Sequence, residues 1–481
     1  MPRSADGRVQ ATGRVGATLG PCAPTTRRTP DATDMRPRRL LMATFDWPPR
    51  NTSGVQRPLK FAKYLPRYGW QPTVVAADRP QPEDDPGLAL DLAPPPELHW
   101  VKPWGDAELA GALGLAGLPL LGLLRLRRRA LEDALVWRMR RFLHFPEAKG
   151  FNNRWIIPLA LAILRRAGSG DFGAVWLTAP PPSMWVVTLC VARRTRLPVV
   201  LDLRDPWTAN FTYELSGVRD WMARRIEARA LRAVSAVTVA SPGMQEDLVA
   251  AWPGLAGRVF CLPNGYDPSD VGHLLGAHRT DELFIVCLTG QSYEDASGLI
   301  QGIRLAVERA PAFRRCFRFR WVGCLEEDVR HAARNTLGGN AEVRGRVSHE
   351  AALRAAAESD ALWLEVPLGD CTRYVVCGKT YEYAALRKPI LGTAPLRCDA
   401  RTVLAGHPAL RLIHSRRPKD IASLLLTSFR EWQQGRLRGG LDERRTAAYR
   451  RDVLAGRLAA LLDALSRAHR RRAPARRPRD V

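Results

Sequence analysis

Strand-length apolar runs and helix-length amphipathic runs alternate along this chain, and no other feature restricts its fold as strongly. "RLLMATF", "QPTVVAA", "GAVWLTAP", "LPVVLDLRDPW", "AVSAVTVAS" and "RVFCLPNG" read as strands, with helical runs such as "GVQRPLKFAKYLPRYG" and "MWVVTLCVARRT" between them. Runs that are apolar throughout and separated by helices predict a parallel sheet covered on both faces. The series restarts at Leu283 with "LFIVCLTG", "CFRFRWVG", "ALWLEV" and "KTYEYAALRKPILGTAP". Ser348 is placed to cap the helix that leads into "ALWLEV". A length of 481 residues suffices for two such cores. The expected fold class is α/β, two Rossmann-like domains facing a cleft, joined between Pro268 and Asp281. Ligands of such sheets sit beyond the carboxyl ends of the strands, so the cleft is the expected site.

The expected organisation is a disordered extension at 1–38, a first domain at 39–268 and a second at 281–430. C-terminal helices at 431–460 are expected to pack back toward the first domain, and a basic disordered tail at 461–481 follows. Met35 stands just before the first strand and is a candidate start. Inside the first domain, residues 109–124 are sixteen apolar or small residues, fewer than the ~20 that cross a bilayer. Arg125, Arg127, Arg128, Arg129, Arg138, Arg140 and Arg141 follow within 125–145. An apolar stretch beside a basic helix suits the surface of an anionic membrane, and equally an inserted helical pair. Net charge is +25, from 73 basic and 48 acidic residues, which favours anionic partners. No nucleic-acid reading module is present, so specific nucleic-acid binding is not expected. The nine cysteines are scattered without a CxxC pair, which argues against a zinc cluster and fits a reducing cytoplasm.

Within "TYEYAALRKPILGTAP" one carboxylate, Glu382, sits in an otherwise apolar helical pattern. Buried carboxylates are costly unless paired, so Glu382 either meets a ligand or forms a salt bridge to Arg387 or Lys388. Lys379 opens the same segment and could face phosphate. Arg204 and Asp205 follow the apolar run "PVVLD" and so belong at a strand's carboxyl end. They either serve an acceptor or pair locally around Pro206. Gly54 lies between a strand and a helix, where a glycine either lets a ligand approach or makes the turn.

Five stretches together resemble a known family: "FDWPPRNTSGVQRPLKFAKYLPRYGWQPTVV", "TAPPPS", "LDLRDPW", "LPNGYD" and "GKTYEYAALRKPIL". In order and spacing, from about residue 40 to about 455, they are similar to nucleotide-sugar glycosyltransferases of the GT-B fold, specifically retaining enzymes of family 4. The resemblance implies that Glu382 holds the ribose hydroxyls of a nucleotide. It implies a donor set of Glu382, Lys379, Gly54, Gly290, Arg373 and Tyr381, and a catalytic, acceptor-side pair of Asp205 and Arg204. It implies front-face transfer with no enzyme base and no bound metal. The implied activity moves a sugar from a nucleoside diphosphate to a hydroxyl acceptor, in polysaccharide or glycolipid synthesis, in the cytoplasm or on the inner face of the plasma membrane. The pattern departs from the family in three places. Tyr374 stands where a second Glu is expected, Met184 and Trp185 where a His is expected, and "LTGQSYEDAS" shows no clear Arg or Lys. Transfer to a small soluble metabolite, and a non-catalytic nucleotide-sugar-binding or scaffold protein, are the alternatives.

Overall fold

The computed structural model describes residues 38–52, 54–78, 85–104, 153–169, 171–209, 215–277, 282–290, 296–368 and 372–472. The expectations for residues 1–37, for the apolar and basic segment 109–145 and for residues 473–481 lie outside the described residues.

Among the described residues two sheets form, every strand parallel to its neighbours. The first contains β1 (Arg38–Thr44), β2 (Trp70–Ala77), β3 (Glu97–Val101), β4 (Phe172–Ala179), β5 (Val199–Leu203), β6 (Ala236–Val239) and β7 (Val259–Cys261), in the order β3-β2-β1-β4-β5-β6-β7. The second contains β8 (Phe284–Thr289), β9 (Phe317–Val322), β10 (Ala341–Arg344), β11 (Ala361–Glu365), β12 (Ile390–Thr393) and β13 (Leu410–Ile413), in the order β10-β9-β8-β11-β12-β13. Among the described residues, helices of nine residues or more are α1 (Gln56–Tyr64), α2 (Ile156–Ala167), α3 (Ser183–Arg194), α4 (Gly217–Ala233), α5 (Pro242–Ala251), α6 (Ser297–Arg309), α7 (Glu327–Leu337), α8 (His349–Ala357), α9 (Gly378–Leu386), α10 (Pro418–Gln433) and α11 (Arg451–Arg472). In each sheet the strand order reverses beside the first strand, between β1 and β4 and between β8 and β11. Crevices open at such reversals, beyond the strands' carboxyl ends.

Burial on both faces follows from the apolar runs. Leu41, Ala43, Val75, Ala77, Val175 and Leu177 enter one cluster of the first domain. Their alternating neighbours Leu40, Met42, Val74, Ala76, Ala174 and Trp176 enter another. That second cluster is closed by the end of the chain: Leu454, Ala455, Leu458, Ala459 and Leu462 of α11 lie in it. Trp70 donates from Nε1 to Asp463 at 2.8 Å, and Ser466 donates to the Gly173 carbonyl at 3.1 Å. The expected boundary between 460 and 461 falls inside α11, whose apolar stripe stays packed on the first domain as far as Leu465.

Buried charges pin α1 and the interdomain connector in place. Arg57 makes a fork to Asp202, Nε to Oδ2 at 2.8 Å and Nη2 to Oδ1 at 2.7 Å, and both side chains are essentially sealed from solvent. Asp202 also accepts from Thr178 at 2.9 Å and Thr238 at 2.6 Å. The guanidinium further donates to the carbonyls of Leu262 and Pro263. The connector then meets the returning chain: Tyr266 N–H donates to the Tyr449 carbonyl and Arg451 N–H to the Tyr266 carbonyl. Gly265 permits this approach, since a Cβ there would lie 2.0 Å from the Tyr449 oxygen.

Candidate functional site

The strand ends of both sheets open onto one cleft of about 830 Å³. Asn51, Thr52 and Gln56 line it after β1, Arg204 and Asp205 after β5, and Asn264 and Gly265 after β7. From the other sheet come Thr289 and Gly290, Gly323 and Cys324, Arg346 and Val347, and the first turn of α9.

α9 aims its N-terminus at this space. Lys379 and Glu382, three residues apart and so on one face, both line the cleft. Lys379 donates from Nζ to the Thr289 carbonyl at 3.0 Å. Tyr383, on the inner face, bonds through its hydroxyl to Thr289 N–H at 2.9 Å and fixes the end of β8. Gly290 follows with φ +78°, a left-handed turn that favours glycine, and its N–H donates to the Val322 carbonyl at 2.7 Å.

The Glu382 partner is neither Arg387 nor Lys388. Arg387 pairs with Glu443, and Lys388 donates to the Ala277 carbonyl. Glu382 Oε1 instead lies 3.0 Å from His349 Nε2, and His349 Nδ1 is 3.9 Å from Asp270. Burial would lower the His349 pKa, but the carboxylates of Glu382 and Asp270 outweigh it and raise the pKa. Burial likewise opposes ionisation of Glu382, and His349 with more distant Arg451 and Lys60 brings its pKa below the usual carboxylate range. Asp270 leads on to Lys60, whose Nζ is 2.5 Å from Asp91, 2.8 Å from Asp267 and 2.9 Å from Asp270. Those three carboxylates lie close enough to suggest a metal site, but the Lys60 ammonium already sits among them.

On the first domain Asp205 is exposed to the cleft. The surrounding walls push its carboxyl pKa up, against the pull of Arg204. Arg204 turns from Asp205 toward the Pro180 carbonyl, to which Nη2 donates at 2.6 Å, and toward Asp46 at 3.9 Å. Three expected donor residues lie outside the cleft lining. Gly54 accommodates Arg204 rather than a ligand, for a Cβ there would lie 2.2 Å from Arg204 Nη1 and 2.6 Å from Asp46. Tyr381 is 1% exposed and packs on Tyr449, because a residue next to Glu382 on a helix points about 100° away from it. Arg373 lies outside the cleft lining, ion-paired with Asp247 of α5 and 3.9 Å from Glu246. Tyr374, next in the loop, donates to the Ala209 carbonyl at 3.1 Å and joins the first domain's apolar cluster, spanning the two domains.

His349, Asp270, Lys60 and Arg451 are cleft residues that sequence reasoning did not select. For His349 a signal existed: it opens the helix capped by Ser348, whose Oγ accepts from Ala351 N–H, and that helix follows a strand's carboxyl end.

Residues 56–270 match the family model described as Glycosyltransferase Family 4. The match covers most of the first domain and none of the second sheet. Solved structures resemble the chain across both domains, at identities that speak for the fold alone. A sucrose-phosphate synthase from Thermosynechococcus elongatus superposes with TM-score 0.59 at 13% identity, over 90% of this chain and 100% of that one. A glycosyltransferase from Rickettsia africae gives TM-score 0.57 at 10% identity, over 89% and 98%. Alr3699/HepE of Anabaena, in complex with UDP-glucose, gives 0.51 at 13% identity, over 90% and 98%. No curated protein sequence matches the chain at a significant level. The two sheets form the GT-B fold. Among the described residues, no helix is long and apolar enough to cross a membrane.

Proposed function

We propose that the cleft binds a nucleoside diphosphate sugar on the second domain and passes its sugar, with retention, to a hydroxyl acceptor on the first. The observation that carries this reading is the Glu382 carboxylate, held at one oxygen by His349, one helical turn from Lys379 and the start of α9. A carboxylate has acceptor capacity at both oxygens, enough for adjacent ribose hydroxyls. The N–H groups at the start of α9 and the Lys379 ammonium suit a diphosphate. As the anomeric C–O bond breaks, charge builds on the diphosphate, and these fixed positive groups stabilise it. The acceptor oxygen attacks from the same face and its proton passes to the departing phosphate oxygen. Asp205 orients the acceptor hydroxyl and needs no role as base. Side chains supply the cations, and the route requires no metal. The Anabaena structure solved with UDP-glucose supports a uridine nucleotide among the donors to try first.

The proposed acceptor is lipid-linked or part of a growing polysaccharide, met at the cytoplasmic face of an anionic membrane. Two observations support this. The net charge is +25. α4 exposes Arg219, Arg224, Arg225, Arg229 and Arg232 around Val218 and Trp221, which are 72% and 54% exposed. α4 starts at the sheet edge where Asp205 lies, so a surface docked there faces the acceptor side of the cleft. A non-catalytic binding protein is the second reading, favoured by Tyr374 standing where the resemblance expects a Glu.

A thermal-shift panel of UDP-, GDP-, TDP- and ADP-sugars tests the donor assignment. A ligand at 100 times its Kd contributes about 2.7 kcal/mol, a rise of about 5 °C or more. No shift with any nucleotide sugar would overturn the reading. Donor hydrolysis or transfer by the purified protein would exclude the non-catalytic alternative.

A further inference from the structure

Arg57, buried beside the cleft, Lys60 and Arg451 are neighbouring cations, and the first two are already neutralised within the chain. Arg57 is spent on Asp202 and Lys60 on its three carboxylates. The third is Arg451, the first residue of α11, which lines the cleft although only 5% exposed. Its Nη1 is buried with no hydrogen-bond partner among the described residues. Burial and the neighbouring Arg57 lower its pKa to about 10, so it stays cationic at neutral pH. Leaving a buried charged donor unsatisfied costs more than the bond itself would contribute. The backbone cannot release it, because Arg451 N–H is fixed to the Tyr266 carbonyl at 2.9 Å. The N-terminus of α11 adds its own positive end to the same spot.

We propose that Arg451 is a phosphate-binding residue of the cleft, delivered from the end of the chain by the helix that crosses back onto the first domain. This rests on the nucleotide-sugar reading of the cleft. The guanidinium completes its hydrogen bonding on a phosphate oxygen, either of the donor's diphosphate or of a phosphorylated acceptor. Glu382, also in the cleft lining, attracts the guanidinium, and it takes ribose hydroxyls while Arg451 takes the oxyanion. Arg204, from the first domain, also lines the cleft and carries a buried Nε without a partner, so the anion has a second guanidinium to approach.

The test titrates uridine, UDP, inorganic pyrophosphate and glucose 6-phosphate into the wild type, Arg451→Gln and Arg451→Lys, each checked for folding by its melting curve. If another base is preferred in the donor panel, its nucleoside and diphosphate replace uridine and UDP. The expected result is that the advantage of the diphosphate over the nucleoside shrinks about tenfold or more in Arg451→Gln, with nucleoside affinity nearly unchanged. Arg451→Lys keeps a point charge without the fork and restores part of that advantage. If Arg451→Gln does not fold, a threefold or greater fall of the same ratio in Arg451→Lys is the expected result, at about half the energy. Loss confined to the sugar phosphate assigns the same contact to a phosphorylated acceptor. Equal loss for nucleoside and diphosphate, or no loss for any phosphate, in a folded variant overturns the proposal. A wild type that binds no nucleoside diphosphate overturns the nucleotide reading and this inference with it. A flat ratio in a protein that does bind overturns only the role of Arg451.

Discussion

Replacing Glu382 by Gln separates ligand recognition from structural pairing, because the carboxylate serves both. One oxygen is held by His349 at 3.0 Å, so the ligand meets a carboxylate whose orientation is already set. A charge-assisted hydrogen bond contributes about 1.5–3 kcal/mol, and 1.4 kcal/mol is a factor of ten. Donor affinity should therefore fall between about tenfold and about 150-fold in Glu382→Gln. The pair with His349 is 27% and 20% exposed at its side chains, between the exposed and the sealed extremes. Its loss should cost about 1–2 kcal/mol, a fall of about 2–8 °C in melting temperature. Calorimetric titration of the best nucleotide sugar, beside melting curves for Glu382→Gln, His349→Gln and the double variant, measures both quantities. The double variant should lose less stability than the sum of the singles, since they share one contact. Unchanged donor affinity in a destabilised Glu382→Gln would refute the ligand role and leave Glu382 as a partner of His349 only.

The same pair sets a pH dependence. The His349 pKa is raised, so its contribution is complete below the ordinary value of 6.5 and is lost as pH rises through the folded-state value. The Glu382 pKa is lowered, so its contribution is complete above the ordinary 4.5 and is lost as pH falls through the folded-state value. The melting-temperature gap between wild type and His349→Gln should be widest between pH 4.5 and 6.5 and narrow above that, and a gap constant to pH 9 would count against the pair. Arg57→Met strands Asp202 in the core with hydroxyl donors only, and should lower stability by about 3–5 kcal/mol in urea unfolding. Gly265→Ala forces the connector away from Tyr449, and should cost about 1–3 kcal/mol in the same assay.

Near-continuous apolar strands made both sheets legible from sequence, and the helix period placed Lys379 and Glu382 on one face. The strands that escaped notice are β3, β10 and β13, all at sheet edges. "ELHWV" and "AEVR" carry charge and exposure, and "LRLI" is only half-buried, so none reads as an unbroken apolar run. The same helix period would have removed Tyr381 from the site, since it neighbours Glu382 in sequence and so faces elsewhere. Arg373 and Gly54 could not be settled that way, because their partners Asp247 and Arg204 lie 126 and 150 positions away in sequence. His349 and Arg451 enter the cleft from elements remote in sequence, and only the packing of α8 and α11 brings them to Glu382.

The placement of α11 has a consequence for how the protein is made. The first domain's second apolar face, around Met42, Val74 and Trp176, is closed by residues that the ribosome adds long after the domain's own strands. About 180 residues separate the connector from Arg451, and at ~5–20 residues per second that face waits roughly 10–40 s for its cover. The second domain, by contrast, has all its strands before α11 is begun. Completing that face therefore waits for synthesis of the second domain, and a stop codon anywhere between the connector and Arg451 would leave the first domain uncovered there.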